Sequence, residues 1–284
     1  MKVIVSHDVD HLTFSEHFRD WCVPKYLLRT GIELGLRRIS VAETGRRLGA
    51  LLRNRWHNLD ALMQFDREQE VPATFFVAMA RGRGLCYAPE VAAEWVRRIH
   101  AQGFAVGVHG VAFEDLNDIR REYATFREST QSEPAGVRMH YLRTCDATLG
   151  WLARAGYAFD SSVYELAPPY KIHGLWEFPL HLMDGHLFYT NGRWQSANLV
   201  QARDATLRRL DAAHRNDVRY FTLLFHDVYF SDAFLIWKKW YVWLIDHLKQ
   251  NDFEFVDYGT AVQELERGVA ANLITPSARV GVSL

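Results

Sequence analysis

Carboxylates, imidazoles and one guanidinium recur in this 284-residue sequence just after short apolar runs. Asp8 and Asp10 follow Val3–Ser6, and His109 follows Val108. Arg138 and His140 lie in and after a run that opens at Gly136. Asp160 and Ser161 end another run, and His226 and Asp227 follow Thr222-Leu223-Leu224-Phe225. Side chains of these types can take up and deliver protons near neutral pH, and Asp oxygen with His nitrogen can bind a divalent ion. In a parallel α/β barrel the loops after the strands all open on one face, so this recurrence predicts a single polar cluster at one end of one barrel. Asp8 and Asp10, two residues apart on a strand, would point the same way. The plainer alternative is that they cap a following helix.

The elements that would position these groups alternate between β-rich runs and helical patterns, the sign of βα units and a parallel sheet. The expected strands are Val3–Ser6, Ala73–Ala78, Phe104–Val108, Gly136–Met139, Ala158–Ser161, Trp176–Leu180, Tyr220–Phe225 and Phe253–Val256. Most are continuous apolar runs, as strands buried on both faces require. Helices are expected over Pro89–Gln102, Asp115–Gln131, Thr144–Ala155, Ala205–His214 and Phe234–Gln250. The last carries Trp237, Trp240, Tyr241, Leu244 and Leu248 at helical spacing, a stripe that reads as core. Leu182-Met183-Asp184-Gly185 reads as a turn beside a strand.

The expected fold is thus a distorted parallel (β/α) barrel of about seven strands, in the α/β class, with a long helical insertion after the first strand. Residues 1–266 would form the barrel, with the insertion over about 12–70, and 267–284 a loose tail. Within the insertion, Pro24 to Trp56 holds eight basic and two acidic residues, whereas the whole chain carries a net charge of −1. A helical pair bearing Lys25, Arg29, Arg37, Arg38, Arg46 and Arg47 is expected either to be a solvated face or to meet an anionic lipid or sugar phosphate.

At 49% apolar and 13% aromatic residues the chain can bury one substantial core. The near-neutral balance gives no reason to expect a nucleic acid partner. Cys22, Cys86 and Cys145 are odd in number and far apart, which suggests neither a disulfide framework nor a thiolate zinc site. The apolar start is too short for the core of a signal peptide, so the expected location is the cytoplasm, at most at the inner face of the membrane.

Several of these segments resemble the polysaccharide deacetylase family, the NodB homology domain. Ser6-His7-Asp8-Val9-Asp10 resembles its first motif, in a variant with the two acids one residue apart. Val71-Pro72-Ala73-Thr74-Phe75-Phe76-Val77 resembles its second strand, Gly107-Val108-His109-Gly110 its histidine motif, and Gly136-Val137-Arg138-Met139-His140-Tyr141 its arginine motif. Tyr157-Ala158-Phe159-Asp160-Ser161-Ser162 and Leu223-Leu224-Phe225-His226 resemble two later motifs in the same order. Together they span most of residues 3 to 260.

The resemblance implies a metal-dependent hydrolase that removes an N-acetyl group from an amino sugar in a surface-polysaccharide precursor, nucleotide- or lipid-linked. Asp8 would be the base, Arg138 its holder, and His226 the acid for the departing nitrogen. Asp10 and His109 would be ligands of Zn2+ or another divalent metal. The backbone N–H near Tyr141 would donate to the oxyanion, and Asp160 would orient substrate or Arg138. One departure matters. The motif's second histidine is replaced by Phe113, so the third ligand would be His140 or, failing that, His11. A deformylase or other small-molecule amidohydrolase of the same fold is one alternative. A non-catalytic carbohydrate- or partner-binding barrel is the other.

Overall fold

The computed structural model describes residues 1–18, 20–190 and 194–274. Its first strand, β1 (Lys2–Val9), is buried from its second residue onward and sits inside one large sheet. The next helices are α1 (Cys22–Gly35), α2 (Val41–Leu52) and α3 (Leu59–Glu68), which make up the expected insertion. A Ser40–Glu43 capping box starts α2, as reciprocal side-chain bonds to the first-turn N–H groups should. Alternation then begins with β2 (Thr74–Val77), α4 (Pro89–Ala101), β3 (Ala105–Gly110), α5 (Leu116–Thr130), β4 (Val137–Met139), α6 (Thr148–Ala155) and β5 (Phe159–Asp160). The short strands β6 (Tyr170–Ile172), β7 (Leu175–Glu177) and β8 (Leu182–Met183) follow. The described residues continue with α7 (Asp184–Phe188), α8 (Leu199–Arg215), β9 (Tyr220–Leu224), α9 (Leu235–Gln250), β10 (Glu254–Phe255) and α10 (Tyr258–Ile274).

Strand order is β6-β7-β5-β4-β3-β2-β1-β9-β8, with β10 also paired to β1. Every pairing is parallel except β6 with β7. The sheet curls as a half-barrel, the α/β architecture expected, and all eight expected strands are present. The short β6 and β8 extend it. Two apolar layers hold it: the helix-facing one includes Trp237, Trp240 and Tyr241 of α9, fully buried, and a smaller one inside the curl is built on Phe76, Phe159, Phe178 and Tyr258. The α9 stripe is therefore core.

Two expectations need correction. The boundary at 266–267 falls inside α10, because Tyr258 and Ala261 are buried and carry the chain on as a helix; residues 275–284 of the expected tail lie outside the described residues. The basic face of α1 and α2 is also smaller than read. Arg47 is fully buried, with Nη1 2.6 Å from Glu33 and Nε donating to the Ala233 carbonyl, and Arg29 Nε lies 2.7 Å from the same carboxylate. Charge pairing across the insertion turned these two inward. Among the described residues no helix is long and apolar enough to cross a membrane.

Candidate functional site

β1 delivers Asp8 and Asp10 to the C-terminal rim of the sheet, and neighbouring strands deliver the rest. β3 and β4 run in register with His109 opposite Arg138, and the turn after β4 brings in His140. Close packing fixes β3: a Cβ on Gly107 would meet the Phe76 ring at 2.6 Å, and one on Gly110 the Met139 sulfur at 2.7 Å. After β3, Glu122 of α5 accepts from the N–H groups of Val111 and Ala112 at 3.1 Å, which turns the chain away from the site. Phe113 leaves the cluster by that turn, under the Arg143 guanidinium at 4.9 Å.

Asp10, His109 and His140 come together, with one ligand atom from each within 4.8 Å of the others. Asp10 Oδ1 is 3.2 Å from His109 Nε2 and 3.4 Å from His140 Nδ1. Each ring is anchored on its far side. His109 Nδ1 lies 3.0 Å from the Arg138 carbonyl, and His140 Nε2 lies 2.9 Å from the Arg83 carbonyl. A carbonyl only accepts, so those far nitrogens carry protons, and the inward nitrogens are the ones free to bind a cation. The two inward nitrogens are 3.0 Å apart, and Asp10 Oδ1 is buried without a donor. Three acceptors facing one another need a cation among them, either a proton or a metal ion. The donor set, two imidazoles and a carboxylate with room for a further ligand, fits a divalent ion of the zinc type.

His11 stands apart from this triad. Its Nδ1 is 3.0 Å from His17 Nε2, and His17 Nδ1 is 2.8 Å from Asp20, so His11 is tied into a chain of its own beside Trp56.

Two residues before Asp10, the environment is reversed. Arg138, fully buried, donates from Nη1 to Asp8 Oδ1 at 3.1 Å and to Ser6 Oγ at 2.7 Å. Its Nε reaches the Ser161 carbonyl, and Nη2 reaches Ser161 Oγ and Tyr258 Oη. Tyr258, which the sequence reading missed, thus helps aim the guanidinium. Asp8 Oδ2 remains 3.9 Å from His109 Nε2.

His226, after β9, points Nε2 at Asp10 Oδ2 from 3.7 Å, while its Nδ1 bonds Asp184 Oδ1 at 2.8 Å. Asp184 is fully buried and also accepts from the His226 N–H at 2.7 Å, so both ring and backbone are fixed. The expected turn at Asp184 is the start of α7; only the fold reveals its partner 42 residues away.

Charges follow this geometry. Burial acts against ionising Asp10, but with a proton as the cation in the cluster, hydrogen bonds from His109 and His140 and the charges of His140 and His226 outweigh it and hold its carboxyl well below the usual range. Burial would likewise lower His226, yet Asp184 first and Asp10 next raise it well above an ordinary histidine.

Asp8, Asp10, His109, His140, Tyr141 and His226 all line one cavity of about 450 Å3. Tyr141 sits there with φ +57°, and Leu142 follows at φ +53°, the kind of strained backbone that clusters at functional sites. Asp160 does not reach the cavity. It is fully buried, accepts from Ser162 Oγ at 2.6 Å, and its other oxygen has no donor. Burial pushes it up, as it does Glu177 beside it, so the pair retains a proton; of its two expected roles, the one toward substrate is lost and the one toward the Arg138 charge remains.

No family model matches the chain, and no curated protein matches it. Solved structures do. One, from Mycobacterium smegmatis and assigned by name to the polysaccharide deacetylases, is 19% identical over 100% of this chain and 94% of its own, with a TM-score of 0.62. Another with that assignment, from Pseudomonas aeruginosa PAO1, is 13% identical over 94% and 90%, with a TM-score of 0.58. The Puue allantoinase is 10% identical over 94% and 89%, also with a TM-score of 0.58. The chain therefore has the fold of the polysaccharide deacetylases, with its converging carboxylates and imidazoles at the strand ends of that curled half-barrel.

Proposed function

We propose that the protein is a metal-dependent hydrolase that removes the N-acetyl group from an amino sugar of a surface-polysaccharide precursor. The observation that carries this reading is the inward convergence of the His109 Nε2 and His140 Nδ1 lone pairs on the orphaned Asp10 Oδ1. A divalent ion held by these three residues would supply Lewis acidity toward the acyl carbonyl and lower the pKa of water.

The remaining steps belong to the chain's own side chains. Asp8, aimed by the Arg138 guanidinium, takes a proton from the attacking water. As the carbonyl oxygen gains charge, an N–H at Tyr141 donates to it. His226, held protonated by Asp184, delivers a proton from Nε2 to the departing nitrogen, so that the C–N bond breaks to acetate and a free amine. A site without chemistry would have no use for an oriented base and an oriented acid beside one acceptor cluster, which argues against a non-catalytic barrel.

The test is acetate release from a panel of N-acetylated amino sugars with zinc supplied, the wild type beside Asp8→Asn. Acetate from the wild type alone supports the reading. Formate from an N-formyl sugar, or opening of a small nitrogenous ring, with no acetate, would move the function to the amidohydrolase alternative.

A further inference from the structure

We propose that the catalytic cavity continues into a subsite for an anionic group, a phosphate or carboxylate that bears an apolar extension, and that Arg29 reads the anion. Arg29 of α1 lines the cavity of Asp10 and His226, and it also lines a second cavity of about 500 Å3. His11, Trp56 and Tyr141 are shared by both, so the guanidinium stands at a junction. Beyond it the second cavity is formed by Cys22, Lys25, Leu28, Ile32 and Trp194, apolar apart from one further cation. Leu28 is 66% exposed, which carries this apolar wall out to the surface.

The charge count around Arg29 is unbalanced. Glu33, fully buried, lies 2.7 Å from Arg29 Nε and 2.6 Å from Arg47 Nη1, so one carboxylate serves two guanidiniums. Arg29 Nη2 is buried with no hydrogen-bond partner. The Tyr189 ring lies 4.6 Å from the guanidinium carbon and attracts its face, but a ring face supplies no acceptor in the guanidinium plane. A largely buried guanidinium that shares its one counterion with a second guanidinium and leaves Nη2 unpaired is under-compensated, and an anion with in-plane oxygens offsets that cost. The two ends of the cavity are therefore chemically opposite. Acids and imidazoles gather at the strand ends, and excess positive charge gathers where the apolar groove begins.

A substrate that fits both ends has its acyl amide at Asp10 and a phosphate or carboxylate at Arg29, with the apolar part beyond. That placement of the amide rests on the deacetylase reading; the anion subsite does not. The probe is decyl phosphate, titrated calorimetrically against the zinc-supplied full chain, with inorganic phosphate as the second probe. The expected result is decyl phosphate about tenfold tighter than inorganic phosphate, and about tenfold weaker on Arg29→Gln than on wild type. Arg29→Gln leaves Glu33 matched one to one with Arg47, so the fold should tolerate it. Ile32→Glu, which puts a carboxylate in the second cavity, should weaken the probe similarly. His140→Ala should retain it.

Equal binding to wild type, Arg29→Gln and Ile32→Glu would overturn the subsite. So would loss on His140→Ala alone, which would put the phosphate among the Asp10 cluster. Inorganic phosphate binding as tightly as decyl phosphate would overturn the apolar half. No turnover is read, so this titration and the acetate assay fail independently.

Discussion

Asp8 and Asp10 leave the same strand two residues apart, yet their surroundings differ in kind. Asp8 meets a guanidinium whose three nitrogens all donate, to Ser6, Asp8, Ser161 and Tyr258, and that network is complete with protein atoms alone. Asp10 meets two imidazoles whose protons point away, and its inner oxygen has no donor. A complete network holds one carboxylate in one direction; an incomplete one is finished by something it binds. The difference separates a base held by the fold from a cluster that needs a cation.

Breaking each half should give different signatures. Asp8→Asn should cost the most activity, about 10²- to 10⁴-fold in kcat, with bound metal unchanged; loss of metal together with activity would merge the two halves into one. Removing the ion with a chelator should destabilise the protein by about 2.7 kcal/mol relative to ion at a hundredfold excess over its Kd. This appears as a lower Tm restored by zinc, and a Tm indifferent to chelator would mean that Asp10, His109 and His140 close around a proton.

Asp184→Asn sharpens the acid side. The raised His226 keeps its proton as pH rises through the ordinary histidine range, and the acid is lost only above its raised pKa. Without the Asp184 charge that pKa falls, so the alkaline limb of the kcat profile should move to lower pH. A limb that stays in place would remove His226 from the acid role. The smallest effect is expected at Phe113, where Phe113→Ala should leave metal content at the wild-type value; a drop would show that this position still serves the cluster.

The same contrast explains what could be read in sequence. Buried parallel strands are continuous apolar runs, so β1, β2, β3, β4, β5, β7, β9 and β10 were legible, and with them the rim positions of Asp8, Asp10, His109, Arg138, His140 and His226. Strands β6 and β8 carry no continuous apolar run: Lys171 breaks the first, and Asp184 follows Leu182-Met183 at once. Partnerships across the fold were not legible either. Asp184 reads as a turn residue until β8 lies beside β9 and sets it against His226. Tyr258 is one aromatic among twelve tyrosines until α10 swings it under Arg138. Arg29 and Arg47 read as members of a basic stretch, and only the folded insertion shows them converging on Glu33. Asp160 was legible only in part: its place at a strand end suggested substrate or Arg138, and its side chain faces Ser162 and Glu177 below the rim, within electrostatic reach of Arg138 only.

The central claim is that Asp10, His109 and His140 form one divalent-metal site in which His140 supplies the imidazole that position 113 lacks. Metal analysis of protein purified without chelators, wild type beside His140→Ala, tests it most directly. About one equivalent of divalent metal per chain in the wild type, lost in His140→Ala, is the predicted result. Equal metal in both proteins, or none in either after zinc is supplied, would contradict it.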